Sequence, residues 1–159
     1  MAKHLWRRDV TDTSTTASDI GTPGEIRRES DGSIYRLVYA SASMEDGNVF
    51  QLHSTSGSDG YTGGNAWSLS VPVFGVNNTG ASVAASAYFF AKIEGIGYVN
   101  PGEDLTANTL IVPSTSGLAY NWNSVASDLV ASDMVPPFAL TFVSGASSAG
   151  TIAAQIFAK

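Results

Sequence analysis

The chain has 159 residues, 43% of them hydrophobic and only 14% charged, no cysteine, and a formal net charge of −6. That length and apolar content supply a core and exclude disorder throughout. The acidic balance excludes a dominant nucleic-acid role, which needs a basic face, and without cysteine there is no disulfide, thiolate metal site or cysteine nucleophile.

The N-terminal Met1–Asp9 carries charges but no apolar stretch or small-residue cleavage site, so it does not read as a secretory signal. No segment reaches the roughly eighteen uninterrupted apolar residues of a membrane span. Six of the eight basic residues (Lys3, Arg7, Arg8, Arg27, Arg28, Arg36) lie in the first 36 positions, balanced there by six acids. Residues 37–159 hold two bases and eight acids and therefore the whole net charge. Asp12 to Pro23 is a polar tract without periodicity, so residues 1–23 read as an extended arm and 24–159 as a β-rich domain. Leu5 and Trp6 give the arm an apolar spot, and exposed apolar area of that kind marks something to dock on.

From Glu25 onward the pattern is short strands with turn punctuation. Ser33–Tyr39 is β-branched and aromatic and follows an Asp31-Gly32 turn; Asp46-Gly47 turns the chain into Asn48–His53. Ser54–Asn65 is rich in Ser and Gly and reads as loop. Trp67–Phe74 alternates, with Pro72 at an edge or bulge. After Asn77–Gly80 come strands at Ser86–Ile93 and Ile96–Val99, separated by Glu94-Gly95, then one at Thr109–Val112. Ser124–Met134, inside a Tyr120–Pro137 insert, reads as a short helix; Phe138–Val143 and Thr151–Ala158 close the chain. No repeat of about 20–50 residues is visible. Such an order predicts an all-β, small antiparallel β-barrel or β-sandwich.

Candidate chemistry is sparse. His4 and His53, the only histidines, sit in the arm and at the end of a strand, too few for a three-histidine metal site. Gly145–Gly150 resembles a nucleophile elbow but misses the G-x-S-x-G spacing. Asp59, Glu94, Glu103 and Asp104 are conceivable paired acids, yet nothing in the sequence pairs them. Glu45-Asp46 and Glu103-Asp104 lack a calcium-loop pattern, and Asn77-Asn78-Thr79 fits the glycosylation sequon. No catalytic residue, metal or cofactor is expected. Trp67, Tyr88, Phe89, Phe90, Tyr98, Tyr120 and Trp122 either fill core and edges or line a sugar-binding face. Three successive aromatics, Tyr88-Phe89-Phe90, point to both faces of a strand, so both faces are covered. A neighbouring subunit is the expected second cover, with Tyr88, Phe90 and Tyr98 as subunit contacts.

The order of segments resembles the small capsid decoration (cement) proteins of tailed phages. Tyr35–Leu52, with its Ala/Ser-rich step and Gly47-Asn48-Val49, is similar to their opening strand and loop. Val73–Val76, Gly95–Val99, Asp104–Ala119 and Ala139–Phe157, with Ala149-Gly150-Thr151, resemble successive later segments. The resemblance spans about residues 33–158 as an ordered pattern. It implies a non-enzymatic homotrimer, made in the host cytoplasm and bound to the major capsid protein on the outer surface of the virion, without nucleic acid or membrane. Leu5, Trp6, Arg7 and Arg8 are then candidate capsid contacts, with Arg27 and Arg28 either a second contact or an internal ion-pair network. A carbohydrate- or receptor-binding virion module, with host glycans as ligand, is the alternative.

Overall fold

The computed structural model describes residues 9–54, 61–64, 74–113, 117–122, 139–146 and 150–157. The chain is all-β. Its strands are β1 (Thr13–Ser14), β2 (Ile26–Arg28), β3 (Ile34–Ala40), β4 (Val49–Ser54), β5 (Tyr61–Gly64), β6 (Phe74–Val76), β7 (Tyr88–Val99), β8 (Leu110–Pro113), β9 (Ala119–Asn121), β10 (Ala139–Thr141) and β11 (Ile152–Phe157). They join in one sheet ordered β2-β3-β5-β4-β6-β7-β11-β10-β8-β9, with β1 on β7 and an additional β3–β7 ladder. Every ladder is antiparallel except β3–β5. The sheet does not close as a whole: β2 and β9 stand at its ends. The β3–β7 ladder joins strands that lie four steps apart along the path, so that half of the sheet curls over on itself.

Strand β7 organises this arrangement. Glu94-Gly95 does not end a strand, as the sequence led us to expect. β7 runs unbroken for 12 residues and changes partner there, from β3 along Tyr88–Glu94 to β11 along Glu94–Val99. Gly95 makes this possible. Its φ is +110°, and a Cβ would lie 2.9 Å from the Ser33 Cα, so the bend is one that a larger residue resists. Tyr61–Gly64, expected within a loop, is a strand because it lies between β3 and β4 and pairs with both. Of the expected Trp67–Phe74 strand only Phe74 is among the described residues. The expected helix Ser124–Met134 lies outside them.

Burial alternates along β11, whereas β3, β4 and the first half of β7 are largely buried on both faces. Val38, Ala40, Phe50, Leu52, Phe89 and Ala91 pack on one side of the curled half, with Phe50 and Phe89 as a tilted ring pair at 5.6 Å. Val99, Leu105, Ile111, Ala139, Ile152 and Ile156 form the core of the other half. On the opposite face of β3 and β7, Tyr35, Leu37, Tyr88 and Phe90 are covered by Ile20, Val10 and Ala17. Residues 9–23, read from sequence as part of an arm, therefore lie on the sheet. β1 pairs Thr13 with Phe89 and Ser14 with Tyr88, and Ile20 is 4% exposed. The second cover over the Tyr88-Phe89-Phe90 run is this chain's own N-terminal segment.

The structure also contains a repeat that the sequence conceals. In one half, Met44 and Val83 exchange backbone hydrogen bonds; in the other, Leu105 and Gly145 do the same. Ser86 N donates to Ala40 O at 2.8 Å, and Asn108 N donates to Thr141 O at 2.9 Å. The Ser43 hydroxyl accepts from Ala85 N, and the Ser144 hydroxyl accepts from Ala107 N. Residues 83–90 thus correspond to 105–112, and residues 38–44 to 139–145. The ladders agree: Val38↔Phe89 and Tyr39↔Tyr88 match Ala139↔Ile111 and Leu140↔Leu110. The only described non-glycine residues with positive φ, Ser86 and Asn108, are equivalent.

Candidate functional site

The repeat locates the surface most suited to a partner. In the register of β7, β11, β10 and β8, residues Ile96, Tyr98, Ala153, Gln155, Phe157, Leu140 and Leu110 share one face, and Phe142 extends the row beyond β10. Five of these are large, apolar and exposed: Ile96 61%, Tyr98 55%, Phe142 42%, Leu110 39% and Phe157 37%. With aromatic side chains offering about 150–250 Å² each and Ile and Leu somewhat less, the uncovered area is roughly 450 Å². The largest apolar patch on a typical monomer is about 300–600 Å² and is often functional. None of these side chains is charged at neutral pH; the acid nearest them in the ladder is Glu94, half-buried beside Phe157.

An open depression of about 350 Å³ borders this face, lined by Thr11, Asp46, Asn78, Tyr98 and Thr151. Several of its polar groups are already engaged. Asn78 donates to Asn77 O and Tyr98 O and accepts from Tyr98 N, while Asp46 Oδ1 accepts from Gly80 N. A sugar needs free donors and acceptors beside its stacking ring. Here Tyr98 lines the depression while the amide of Asn78 is spent on the backbone. Asn77, the sequon asparagine, is fully buried and clamps two loops, donating to Met44 O, Glu45 O and Ala81 O while accepting from Thr79. It offers nothing to a glycosyl donor.

The candidate contacts fall in different places. Leu5, Trp6, Arg7 and Arg8 lie outside the described residues. Arg27 is taken up internally: its guanidinium sits 4.0 Å from the Phe90 ring centre and 4.0 Å from the Glu25 carboxylate, and its side chain is 11% exposed. Arg28 is exposed on β2 at the end of the sheet. Of the subunit-contact candidates, Tyr88 and Phe90 are 8% and 0% exposed within the chain, so Tyr98 is the one on the surface. Sequence reasoning missed Ile96, Leu110, Phe142 and Phe157, whose common face depends on the order of strands in the sheet.

No family model matches the chain, and no curated protein matches it. Among solved structures the chain is similar to the head fiber gp8.5 N base of bacteriophage phi29. The TM-score is 0.49 at 12% identity, with 78% of this chain and 93% of that chain covered.

Three further ionisable groups are held within the fold. Glu103 Oε1 accepts from both the backbone and side-chain amides of Asn121. Asp31 accepts from Ser33 N and Oγ, which holds its carboxyl below the ordinary value. Lys92 is 5% exposed, donates to Ile96 O and lies 5.0 Å from the Tyr35 ring centre; burial lowers its pKa. Among the described residues no three His, Asp or Glu side chains gather to hold a metal, and no helix is long and apolar enough to cross a membrane.

Proposed function

We propose that this chain is a non-enzymatic structural protein of a tailed-phage virion, a decoration protein that coats the outer surface of the capsid and stabilises it, working as a homotrimer. The observation that carries the reading is the broad, almost uncharged sheet face of Ile96, Tyr98, Leu110, Phe142 and Phe157. A surface of that composition is suited to protein contact, not to chemistry. The ordered segment resemblance over residues 33–158 supplies the setting. The major capsid protein is the proposed partner for Leu5, Trp6, Arg7 and Arg8: the Trp brings contact area and the Arg pair forks onto carboxylates or backbone carbonyls. Several copies held together multiply a weak contact by about 10²–10⁴ in affinity.

The test is co-sedimentation of the full chain with undecorated, expanded capsids of its own phage. Saturable, stoichiometric pelleting with the capsids is the expected result. A chain that stays in the supernatant at every capsid concentration overturns the proposal.

A further inference from the structure

The two equivalent halves of the sheet differ in what covers them. In the first, the face carrying Tyr39 and Tyr88 continues into Leu37 and Phe90 and lies under Val10, Ala17 and Ile20. In the second, the equivalent pair is Leu140 and Leu110. Val112, the counterpart of Phe90, is buried, but from Leu110 the face runs uncovered across β10 and β11 to Ile96 and Tyr98 on β7. The same backbone junction therefore presents the same kind of apolar face twice, and among the described residues this chain roofs one of them.

We propose that the open face is covered by a second copy of this chain. This deepens the reading of that face as a protein-contact surface by naming its partner. Two features select a copy over a charged partner. The first is charge. Each chain carries a net −6, so self-association requires a surface that does not oppose carboxylates. Here the ladder positions are Ile96, Tyr98, Ala153, Gln155 and Phe157, with Glu94 only at the margin. The second is area. A stable pair needs about 800 Å² per partner, with an apolar centre and a polar rim. Roughly 450 Å² of apolar surface, with Gln155 set between Ile96 and Leu140 and with Glu94 and the turns at Thr106 and Ser144 at its border, matches that proportion. Tyr98 and Phe157 are the rigid anchors, and Ile96 lies between them.

Sedimentation velocity on the full chain, from about 1 µM to about 100 µM, spans the affinities such an interface reaches. Wild type is expected to self-associate, and the pair Ile96→Glu with Phe142→Glu to weaken association at least about tenfold. Both positions are exposed and neither stands opposite an acid, so the circular dichroism spectrum and melting temperature should hold. The pair Ser82→Glu with Ala84→Glu, exposed outside this face, adds the same two charges and should leave association intact. A wild type monomeric throughout, association unchanged by the Ile96/Phe142 pair, or an equal loss with the Ser82/Ala84 pair would each overturn the proposal. No capsid is present in this measurement, so its failure is read apart from that of capsid binding.

Discussion

The guanidinium of Arg27 on β2 lies 4.0 Å from the centre of the Phe90 ring on β7, bridging across β3. Phe90 has no exposed surface, and the Arg27 stem forms part of its cover. A desolvated cation over a ring contributes up to about 2 kcal/mol. Arg27→Ala should therefore lower stability by about 1–2 kcal/mol in a urea titration. Capsid affinity at temperatures where the variant stays folded should be unchanged, because this arginine is spent inside the chain.

The N-terminal segment separates into two parts with different expected roles. Deleting residues 1–8 removes Leu5, Trp6, Arg7 and Arg8, the proposed capsid contacts, and should weaken capsid pelleting while Val10, Ala17 and Ile20 remain to cover the sheet. Deleting residues 1–23 removes β1, Ile20 and Ala17 and exposes Tyr88, Leu37 and Phe90. Burial of one such side chain stabilises by about 1.5–3 kcal/mol, so the longer deletion should unfold cooperatively at clearly lower urea. Equal melting temperatures for the two truncations would contradict the packing described here.

Much of the fold was legible, and where it was not the cause is physical. The β-branched and aromatic run at Ser33–Tyr39 and the rough alternation of Asn48–His53 place those strands directly. The Tyr88-Phe89-Phe90 run implied cover on both faces. It could not say whose, because residues 10–20 pack through isolated apolar side chains (Val10, Ala17, Ile20) set in a polar tract with no period. Tyr61–Gly64 has little strand propensity and pairs because two strands flank it, which is tertiary context overriding local preference. The repeat escaped because its aligned stretches share only Ser43 with Ser144 and Ala85 with Ala107. What they keep is backbone conformation. The exposed face escaped for a related reason: Ile96, Leu110, Phe142 and Phe157 come from four separate segments and meet only through sheet order.

Ser86 and Asn108 test that equivalence. Both hold positive φ, 68° and 56°, three residues after the bridge residues Val83 and Leu105. Left-handed backbone costs a side-chain-bearing residue about 1–2 kcal/mol, less for Asn, whose short amide tolerates it. Ser86→Gly should raise stability by about 0.5–1 kcal/mol once glycine's extra unfolded entropy is subtracted. Asn108→Gly should gain less. Thermal unfolding of the two single variants and the double variant reads both the order and the additivity expected of separated sites.

Asn77 joins the 44–47 and 77–83 loops through three donated hydrogen bonds, with Thr79 Oγ1 and N donating to its oxygen. Replacing it by aspartate points a carboxylate at three carbonyl oxygens in a site with no exposure. Loss of the donors and burial of an unpaired charge cost several kcal/mol in combination, and the group responds by binding a proton. Asn77→Asp should destabilise by about 2–4 kcal/mol at pH 7 and recover part of that loss as the pH falls toward 5. A pH-independent deficit would show that the side chain fills space without its donors mattering.

Lys92 gives the fold an alkaline signature. Burial is the main cause of its lowered pKa, and Asp31, acting through its charge, opposes the shift. An amine whose folded pKa lies below its ordinary 10.5 releases its proton earlier in the native state than in the unfolded chain. Between those two values the unfolded state holds more protons, so stability rises with pH across that window. Tyr35, facing Lys92, has its pKa raised by burial first and by Asp31 second. It acts with the opposite sign, removing stability above its ordinary value of 10.0. Lys92→Met isolates the lysine, because methionine fills similar volume without a charge to bury. At pH 7 the variant should equal or exceed wild type in stability. The difference should shrink as the pH climbs toward 10, because wild type loses its buried charge there while the variant has none to lose. Urea denaturation of both proteins between pH 7 and 10 measures it, and a gap that widens with pH would show that the ammonium, held by Ile96 O and the Tyr35 ring, stabilises the native state in its charged form.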